Sequence, residues 1–316
     1  MLIRLKKYCK DAGVRLTHAA LPAARRGDLD LLKYLVDVKG MGCDDTIRDD
    51  YGMTCTMLAA RGNWRTHKGH MDVLKYLVEE KGMGYGDTIR DNDGMTCTML
   101  AAKGGYFGKG HLDGLRYLVD MKGAGCGDNI RNNDGMTCTM IAAGRGHLDV
   151  LEYLVDMKGA GCGDNIRNNA GMTCTMIAAG RGHLDVLKYL VEEKGARYDD
   201  DLRDKNGMTC TLHSVSSGDF GVVKYLVREG GSLRIRNNDG ENGYEMALSM
   251  DWDLVEDLAA PALREEGDDS GKRSRGKRSW GNPAKKHNRV ENGNHGDGEE
   301  EPDMGVLDSD DDLMIC

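Results

Sequence analysis

The chain repeats one pattern of apolar and polar positions: two short amphipathic segments separated by a glycine. Within residues 150–155, Val, Leu, Leu and Val fall at i, i+1, i+4 and i+5, which is one face of a helix. The earlier segment 57–60, Met-Leu-Ala-Ala, continues a helix with small residues on one face. Gly146 ends the first helix of its copy, and a glycine-rich hairpin leads into the next copy. The pattern predicts a chain of helical hairpins.

The pentapeptide Gly-Met-Thr-Cys-Thr marks five of these copies, and a decayed sixth follows. The first glycines are Gly52, Gly94, Gly135, Gly171, Gly207 and Gly240. An Asp or Asn three residues before each glycine predicts a turn in which the glycine supplies a positive φ. The first Thr of the pentapeptide is predicted to cap the helix that follows. Repetition at such a period is the sequence signature of a solenoid.

The intervals between these glycines are 42, 41, 36, 36 and 33 residues. The two longest intervals contain insertions between the two helices, at 61–70 and 103–111. The second helix of the 36-residue copies runs about three residues further than that of the 33-residue copy, before the shared Ile-Arg. Variation is therefore confined to two places in an otherwise constant unit.

This unit resembles the ankyrin repeat. The family's Asp-x-x-Gly-x-Thr turn, its Ala pair and its Gly-His before the second helix recur together, for example within 132–155. The chain departs from the family where Cys-Thr-Met replaces Pro-Leu-His, which removes a preset φ and a core anchor. Methionine fills irregular gaps, so we expect four residues to occupy the vacated space. They are Met57, Met99, Met140 and Met176.

The resemblance implies an all-α fold, an ankyrin-like solenoid of helix-turn-helix-hairpin repeats. It covers residues 2–258, as a half repeat at 2–16 followed by about seven repeats, the last of which serves as a cap. The start inside a half repeat leaves open whether the chain is a fragment of a longer protein. Family geometry places both insertions side by side at the far rim of the groove.

Composition fits a stacked array better than a single globular core. Of the 316 residues, 40% are hydrophobic but only 5% are aromatic, and a single domain of this length usually has more large anchors. The net charge of −9 argues against generic nucleic-acid binding by the whole chain. No run approaches the ~18 apolar residues of a membrane span, and the start lacks the apolar region of a signal peptide. We expect a monomer, without membrane contact, in the cytoplasm or the nucleus.

Cysteine and histidine each recur at one repeat position. Stacked helices lie about 8–10 Å apart, whereas a disulfide needs Cα atoms about 4.4–6.8 Å apart. We therefore expect reduced core thiols, with one reactive thiol at a helix N-terminus as the alternative. One His per layer cannot complete a coordination sphere, so each His is expected to bridge backbone groups of neighbouring repeats. The columns are Cys55, Cys97, Cys138, Cys174 and Cys210, and His70, His111, His147 and His183.

Two sets of residues are candidates for contact with a partner. The insertions offer aromatic and basic side chains, the usual binding hot spots, unless the aromatics fold back onto the array. They are Trp64, Arg65, Lys68, Tyr106, Phe107 and Lys109. An arginine column near the hairpins offers a positive stripe for acidic peptides, unless neighbouring Asp and Asn residues neutralise it. It contains Arg48, Arg90, Arg131, Arg167, Arg203 and Arg236.

Residues 259–316 differ from the array and are predicted to form a disordered, charged tail. The tail has a basic block at 272–289 and an acidic block at 297–312. The basic block resembles a bipartite nuclear-import signal, and phosphate contact or folding back onto the acidic end are alternatives. Ser309 precedes three Asp residues and is a candidate for an acidophilic kinase. The import candidates are Lys272, Arg273, Lys285, Lys286 and Arg289.

No convergent set of catalytic residues occurs, and the glycine-rich loop 103–110 fails the phosphate-loop pattern. We expect no enzyme activity, cofactor, metal or small-molecule substrate. The predicted function is a protein–protein interaction scaffold or adaptor, with a protein partner on the concave face of the array. The alternative is a nuclear regulatory protein whose tail contacts nucleic acid, histones or import receptors.

Overall fold

The structure is a computed structural model, and it describes residues 19–62, 70–104 and 112–249. All of these lie in one compact unit, Met1–Gly267. The described residues are helical with no strand, apart from one isolated bridge between Arg236 and Asn242. The predicted half repeat, most of each insertion (63–69 and 105–111) and the predicted tail lie outside the described residues.

Two sets of helices alternate along the described chain. The inner helices, the first of each repeat, are α1 Ala20–Arg26, α3 Cys55–Arg61, α5 Cys97–Lys103, α7 Cys138–Arg145, α9 Cys174–Gly180, α11 Cys210–Ser217 and α13 Gly243–Ser249. The outer helices, the second of each repeat, are α2 Leu29–Lys33, α4 Met71–Lys75, α6 Leu112–Arg116, α8 Leu148–Glu152, α10 Leu184–Lys188 and α12 Phe220–Arg228. Each inner helix packs on the inner helix of the next repeat, as a solenoid requires.

The pentapeptide forms the start of the inner helix, as predicted. Gly52 has a φ of 77°, which permits the tight turn that follows the Asx residue. The side chain of Thr54 accepts a hydrogen bond from the Met57 amide at 3.3 Å and so caps α3. The later copies place Thr96, Thr137, Thr173 and Thr209 in the same role. Pro22 lies in the first turn of α1, where a missing amide hydrogen costs little.

Most outer helices widen in their second half. After α2, α4, α6, α8 and α10 the chain continues as a π-helical turn, and these turns are Tyr34–Val38, Tyr76–Glu80, Tyr117–Met121, Tyr153–Met157 and Tyr189–Glu193. The Lys81 amide, for example, donates to the carbonyl oxygen of Tyr76, five residues earlier, at 3.2 Å. α12, in the 33-residue repeat, has no such turn. The extra residues of the longer copies are therefore accommodated in part by widening the helix, which the sequence pattern did not predict.

The core combines small alanines and cysteines with methionines and branched aliphatic side chains. The four methionines predicted to replace the missing core anchor, among them Met57 and Met140, are fully buried, and this prediction is confirmed. The Ala pairs that follow them are also buried, so neighbouring inner helices can approach closely. One hydrophobic cluster runs from Ala19 to Leu226. A second, smaller cluster lies in the last repeats and includes Met208, Leu212 and Met246.

Candidate binding surface

The hairpins form a continuous row because each is hydrogen-bonded to the next through its backbone. The Asn92 amide donates to the carbonyl oxygen of Tyr51, and the Asn133 amide to that of Asp93, both at 2.9 Å. The side-chain amide of Asn92 also donates to the carbonyl oxygen of Asp50 at 2.9 Å. We call the residues between each Asx and its glycine the tip row; they are 50–51, 92–93, 133–134, 169–170, 205–206 and 238–239. These bonds hold the tips in register with one another.

The arginine column lies beside the tip row, and its members from Arg48 to Arg203 donate to backbone carbonyl oxygens, whereas Arg236 pairs with the Glu245 carboxylate at 2.8 Å. Arg131 Nη1 donates to the carbonyl oxygens of Gly135, at 2.8 Å, and of Arg167 in the next repeat, at 2.6 Å. Arg48, Arg90 and Arg167 make the same pair of bonds, and Arg203 donates to Arg236 O at 3.1 Å. The neutralising acids that the sequence suggested are therefore not the partners of these guanidinium groups. A role for the column in binding an acidic peptide stays a prediction.

Two of the nearby acids, Asp128 and Asp164, hold the neighbouring hairpin instead. The Asp128 carboxylate accepts from the Gly161 amide at 2.8 Å, and Asp164 accepts from the Arg197 amide at 3.1 Å. A Cβ at Gly161 would lie 2.4 Å from the Asp128 carboxylate, so glycine is needed for this approach. The carboxylates are thus used in stacking one repeat on the next.

The second Thr of the pentapeptide has a role that the sequence analysis missed. The Thr56 hydroxyl donates to the carbonyl oxygen of Gly84, in the hairpin that follows, at 2.8 Å. Its oxygen lies 3.0 Å from that of Thr54. Because Thr56 uses its own proton on Gly84, the Thr54 hydroxyl donates to Thr56 while its oxygen accepts from Met57. The Thr-x-Thr spacing was the available signal, since two hydroxyls two residues apart can form such a chain.

The histidine column bridges neighbouring repeats, as predicted. Nε2 of His147 lies 3.0 Å from the carbonyl oxygen of Lys103, at the end of the preceding inner helix, and Nε2 of His183 lies 3.1 Å from Gly144 O. His70 makes the equivalent contact with Arg25 O at 3.1 Å. Burial lowers the pKa of all three imidazoles, because the charged form is poorly solvated there. The equivalent His111 lies outside the described residues.

The cysteine column is part of the core, as predicted. Its five thiols are free and fully buried. Burial raises the pKa of Cys97, Cys138 and Cys174 to about 12, and it raises the pKa of Cys55 and Cys210 further. Desolvation therefore outweighs any lowering of the pKa by the helix N-terminus, and the alternative of a reactive thiol in this column is not supported.

The outer helices are joined by a separate set of polar contacts. The Tyr117 hydroxyl donates to the Glu79 carboxylate of the preceding repeat at 2.9 Å, and Lys122 pairs with the same carboxylate at 3.3 Å. Hydrogen bonds from Tyr117 and Lys122 lower the pKa of Glu79. Asp37 and Asp120 are held by a Tyr and a Lys in the same way. A Tyr, a Lys and an acid at each of these three junctions are thus used between repeats.

Few large apolar or aromatic side chains are exposed on the described array. Tyr51, in the tip row, has an exposed fraction of 44%. Met121 and Met157, at the ends of two π-helical turns, are 74% and 71% exposed. The acids Asp50, Asp93 and Asp134 of the tip row are also exposed. Exposed groups that could meet a partner are therefore found on both the hairpin side and the outer-helix side of the array.

The remaining predicted site residues cannot be placed, because they lie outside the described residues. These are Trp64, Arg65, Lys68, Tyr106, Phe107, Lys109, Lys272, Arg273, Lys285, Lys286, Arg289 and Ser309. Over 19–62, 70–104 and 112–249, no three His, Cys, Asp or Glu side chains are arranged to hold a metal ion. Every helix in that part of the chain is too short or too polar to cross a bilayer.

Comparison with known families agrees with this architecture. Residues 18–130 and 107–201 match a family model described as ankyrin repeats (3 copies). No curated protein matches the chain.

Proposed function

Because the chain belongs to the ankyrin repeat family, we propose that it is a non-enzymatic scaffold or adaptor that binds a protein partner. Ankyrin repeats are generally protein–protein interaction modules. We place the partner on the concave face, which consists of the hairpins and the inner helices. This proposal extends to the two insertions, which the family pattern puts on the same side of the array.

The observation that carries this proposal is the rigid tip row. Its backbone is held from repeat to repeat by amide–carbonyl bonds such as that between Asn92 and Tyr51, at 2.9 Å. A surface already held in register loses little conformational entropy when a partner binds, so more of the contact energy appears as affinity. The inner-helix side chains are used in the core, which leaves the tips and the helix ends to make specific contacts.

Tyr51 is the aromatic side chain of the described tip row, and it lies in the repeat that contains the first insertion. The equivalent residues in later tips are Asp93, Asp134, Ala170, Asn206 and Asp239. Tyrosine provides a large contact area with few rotatable bonds, and Tyr and Trp are enriched at interface hot spots. We propose that Tyr51, Trp64, Tyr106 and Phe107 anchor the partner and that the exposed acids tune its specificity.

The test recovers proteins that bind the full-length chain and then measures the affinity of each purified protein for matched variants. Combined replacement of Tyr51, Trp64, Tyr106 and Phe107 by Ala is expected to weaken binding by at least tenfold, about 1.4 kcal/mol. Met121→Ala with Met157→Ala, on the outer-helix side, is the control and is expected to leave the affinity unchanged. A partner that tolerates the first set but is lost with the second would contradict the proposed face.

A second candidate function rests on the basic block 272–289, which is compatible with contacts to nucleic acid, histones or import receptors. Under this alternative, deletion of 264–316 abolishes partner binding, and the affinity falls steeply with salt concentration. Binding that survives the deletion and depends little on salt would favour the scaffold instead. Nuclear exclusion of a chain carrying Lys285→Ala and Lys286→Ala would support the import role, and cytoplasmic residence of the unaltered chain would contradict it.

A further inference from the structure

Two Asn-Gly pairs fall within the described residues, and the hydrogen bonding of their asparagine side chains differs. The Asn242 carboxamide is fixed, because its Oδ1 accepts from the amides of Tyr244 and Glu245, both at 3.0 Å. Gly243, which follows it, is buried, and its amide donates to Leu233 O at 2.8 Å. Asn242 thus caps α13 with a side chain that cannot rotate without breaking two bonds.

Asn206 is an exposed residue of the tip row and has the opposite arrangement. Its carboxamide makes no hydrogen bond to any described residue. Its backbone is held, since its amide donates to Asp204 Oδ1 at 2.8 Å and its carbonyl oxygen accepts from the Asn238 amide at 2.9 Å. The side chain can therefore turn toward the Gly207 amide while the backbone around it stays in place.

We propose that Asn206 is a site of spontaneous deamidation in the folded protein. The Gly207 amide nitrogen loses its proton to water and attacks Cγ of Asn206. A C–N bond forms, the bond from Cγ to Nδ2 breaks, and ammonia leaves with the proton. The resulting five-membered imide is opened by one water molecule, either at the new bond, which gives aspartate, or at the old backbone bond, which gives isoaspartate. No atom changes oxidation state.

Glycine after the asparagine is what allows the attack. Without a Cβ, the Gly207 nitrogen can be approached, and its φ of 74° is one that other residues adopt only with strain. The Gly207 amide donates to Asp204 O at 3.1 Å, so this single turn bond must open first. Gly207 is buried, as Gly243 is, so the two pairs differ at the asparagine: Asn206 is exposed with a free carboxamide, whereas the Asn242 carboxamide is held by two amides.

The reaction alters the junction between the last two described hairpins. Isoaspartate carries the backbone through Cβ and Cγ, which adds one methylene group to the chain between Cα of residue 206 and Gly207. The carbonyl group that accepted from the Asn238 amide becomes the free carboxylate. Either product adds a carboxylate beside Asp204, whose side chain is only 2% exposed. Like charges repel more strongly when one of them is poorly solvated. We therefore expect the modified chain to hold its last hairpin less firmly, so that exchange of the Asn238 amide with solvent deuterium increases.

The experiment incubates the full-length chain in mildly alkaline buffer and follows both asparagines by peptide mass spectrometry, with isoaspartate identified by chromatography. Native protein is expected to lose the Asn206 amide several times faster than the Asn242 amide. In concentrated urea the two rates should become similar, because both pairs have the same local sequence chemistry. Equal rates in the native protein, or an unchanged Asn206 that reacts only in urea, would overturn the proposal.

Two variants exchange the residues found at equivalent tip positions of neighbouring repeats, and they serve as controls. Asn206→Ala should remove the reaction without disturbing the turn, since Ala170 occupies the equivalent tip before Gly171. Ala170→Asn should create a second reactive tip, because Gly171 has a φ of 85° and the same kind of turn bond, to Asn168 O at 2.9 Å. Failure of Ala170→Asn to react while Asn206 does would show that the tip geometry is not the cause.

Discussion

Single side chains in this array act mainly by joining one repeat to the next, and several of them do so from buried positions. His147 is the clearest case, since its imidazole is buried and its Nε2 contacts the Lys103 carbonyl oxygen, a neutral group. Arg131 is another, with two carbonyl oxygens on one guanidinium nitrogen. At this scale, the charge and the burial of a side chain indicate how its substitution should change the stability of the fold.

The buried histidines make stability depend on pH. Burial lowers the pKa of His70, His147 and His183 below the usual value of 6.5, so the unfolded chain binds more protons than the folded one below that pH. Stability from these groups is complete above the unfolded pKa and is lost as pH falls through the folded pKa. We expect the urea midpoint to decrease between about pH 7.5 and about pH 5. His147→Gln, which does not titrate, should reduce this decrease; an equal decrease in both proteins would contradict the assignment.

One pair of variants tests whether the arginine column stabilises the fold or binds a partner. Arg131→Met removes two bonds from a half-buried guanidinium group and should lower the free energy of unfolding by about 1–3 kcal/mol. Arg203→Met removes weaker bonds at an exposed position, at 3.1 Å to Arg236 O and 3.3 Å to Asp200 O, and should have a smaller effect. Urea unfolding measures both. Unchanged stability in Arg131→Met, together with loss of a partner, would favour the binding role.

Helices and hairpins differ in how completely the sequence predicted them. The inner helices begin where the pentapeptide predicts, because a Thr cap and a positive-φ glycine are local features with a direct sequence signal. The π-helical turns, such as Tyr153–Met157, were not predicted, because apolar spacing cannot distinguish a longer helix from a wider one. The tip row was predicted only as a set of turns, since bonds between residues such as Asn92 and Tyr51, far apart in sequence, depend on how repeats stack.

The junction before the last described repeats lacks side-chain contacts that the earlier junctions have. His213 stands where earlier inner helices have Leu or Ile, and its Nε2 lies 3.1 Å from Asp204 Oδ2. Lys205 replaces the tip asparagine, so the side-chain bond made by Asn92 and Asn169 is missing at this junction. The Thr211 hydroxyl is buried with no partner among the described residues. The hydrophobic core also divides near this point.

We therefore expect residues 204–249 to open as a unit before the central repeats do. Native-state hydrogen exchange should show their amides exchanging together, at a lower urea concentration than those of 138–190. The double variant Lys205→Asn, His213→Ile restores the residues of the earlier repeats. In this variant the two groups of amides should exchange at similar urea concentrations. A single exchange transition for the whole unaltered array would contradict this expectation.

The whole array behaves as a stack of near-identical units that contact their neighbours. Deleting 136–171, one complete copy of 36 residues, joins Gly135 to Met172 and leaves α5 facing α9. Since α7 and α9 share the sequence Cys-Thr-Met-Ile-Ala-Ala-Gly, the new interface should match the old one. The shortened chain should fold, with a smaller urea m-value because less surface is exposed on unfolding. Deleting 136–153, half a copy, should abolish folding; equal disruption by both deletions would refute this description.

The sequence by itself determined the repeat, its turns and caps, and the ankyrin family, because each depends on residues within a few positions of one another and is copied several times. It also identified Met57 and the cysteine column as core, since alignment with the repeat places them on the inner helix where the family has core residues. Only the tertiary structure decided the partners of Arg131, Asp128 and Thr56. Those bonds link hairpins and helices that stacking brings together, and the same residue types could equally have faced solvent or a partner protein.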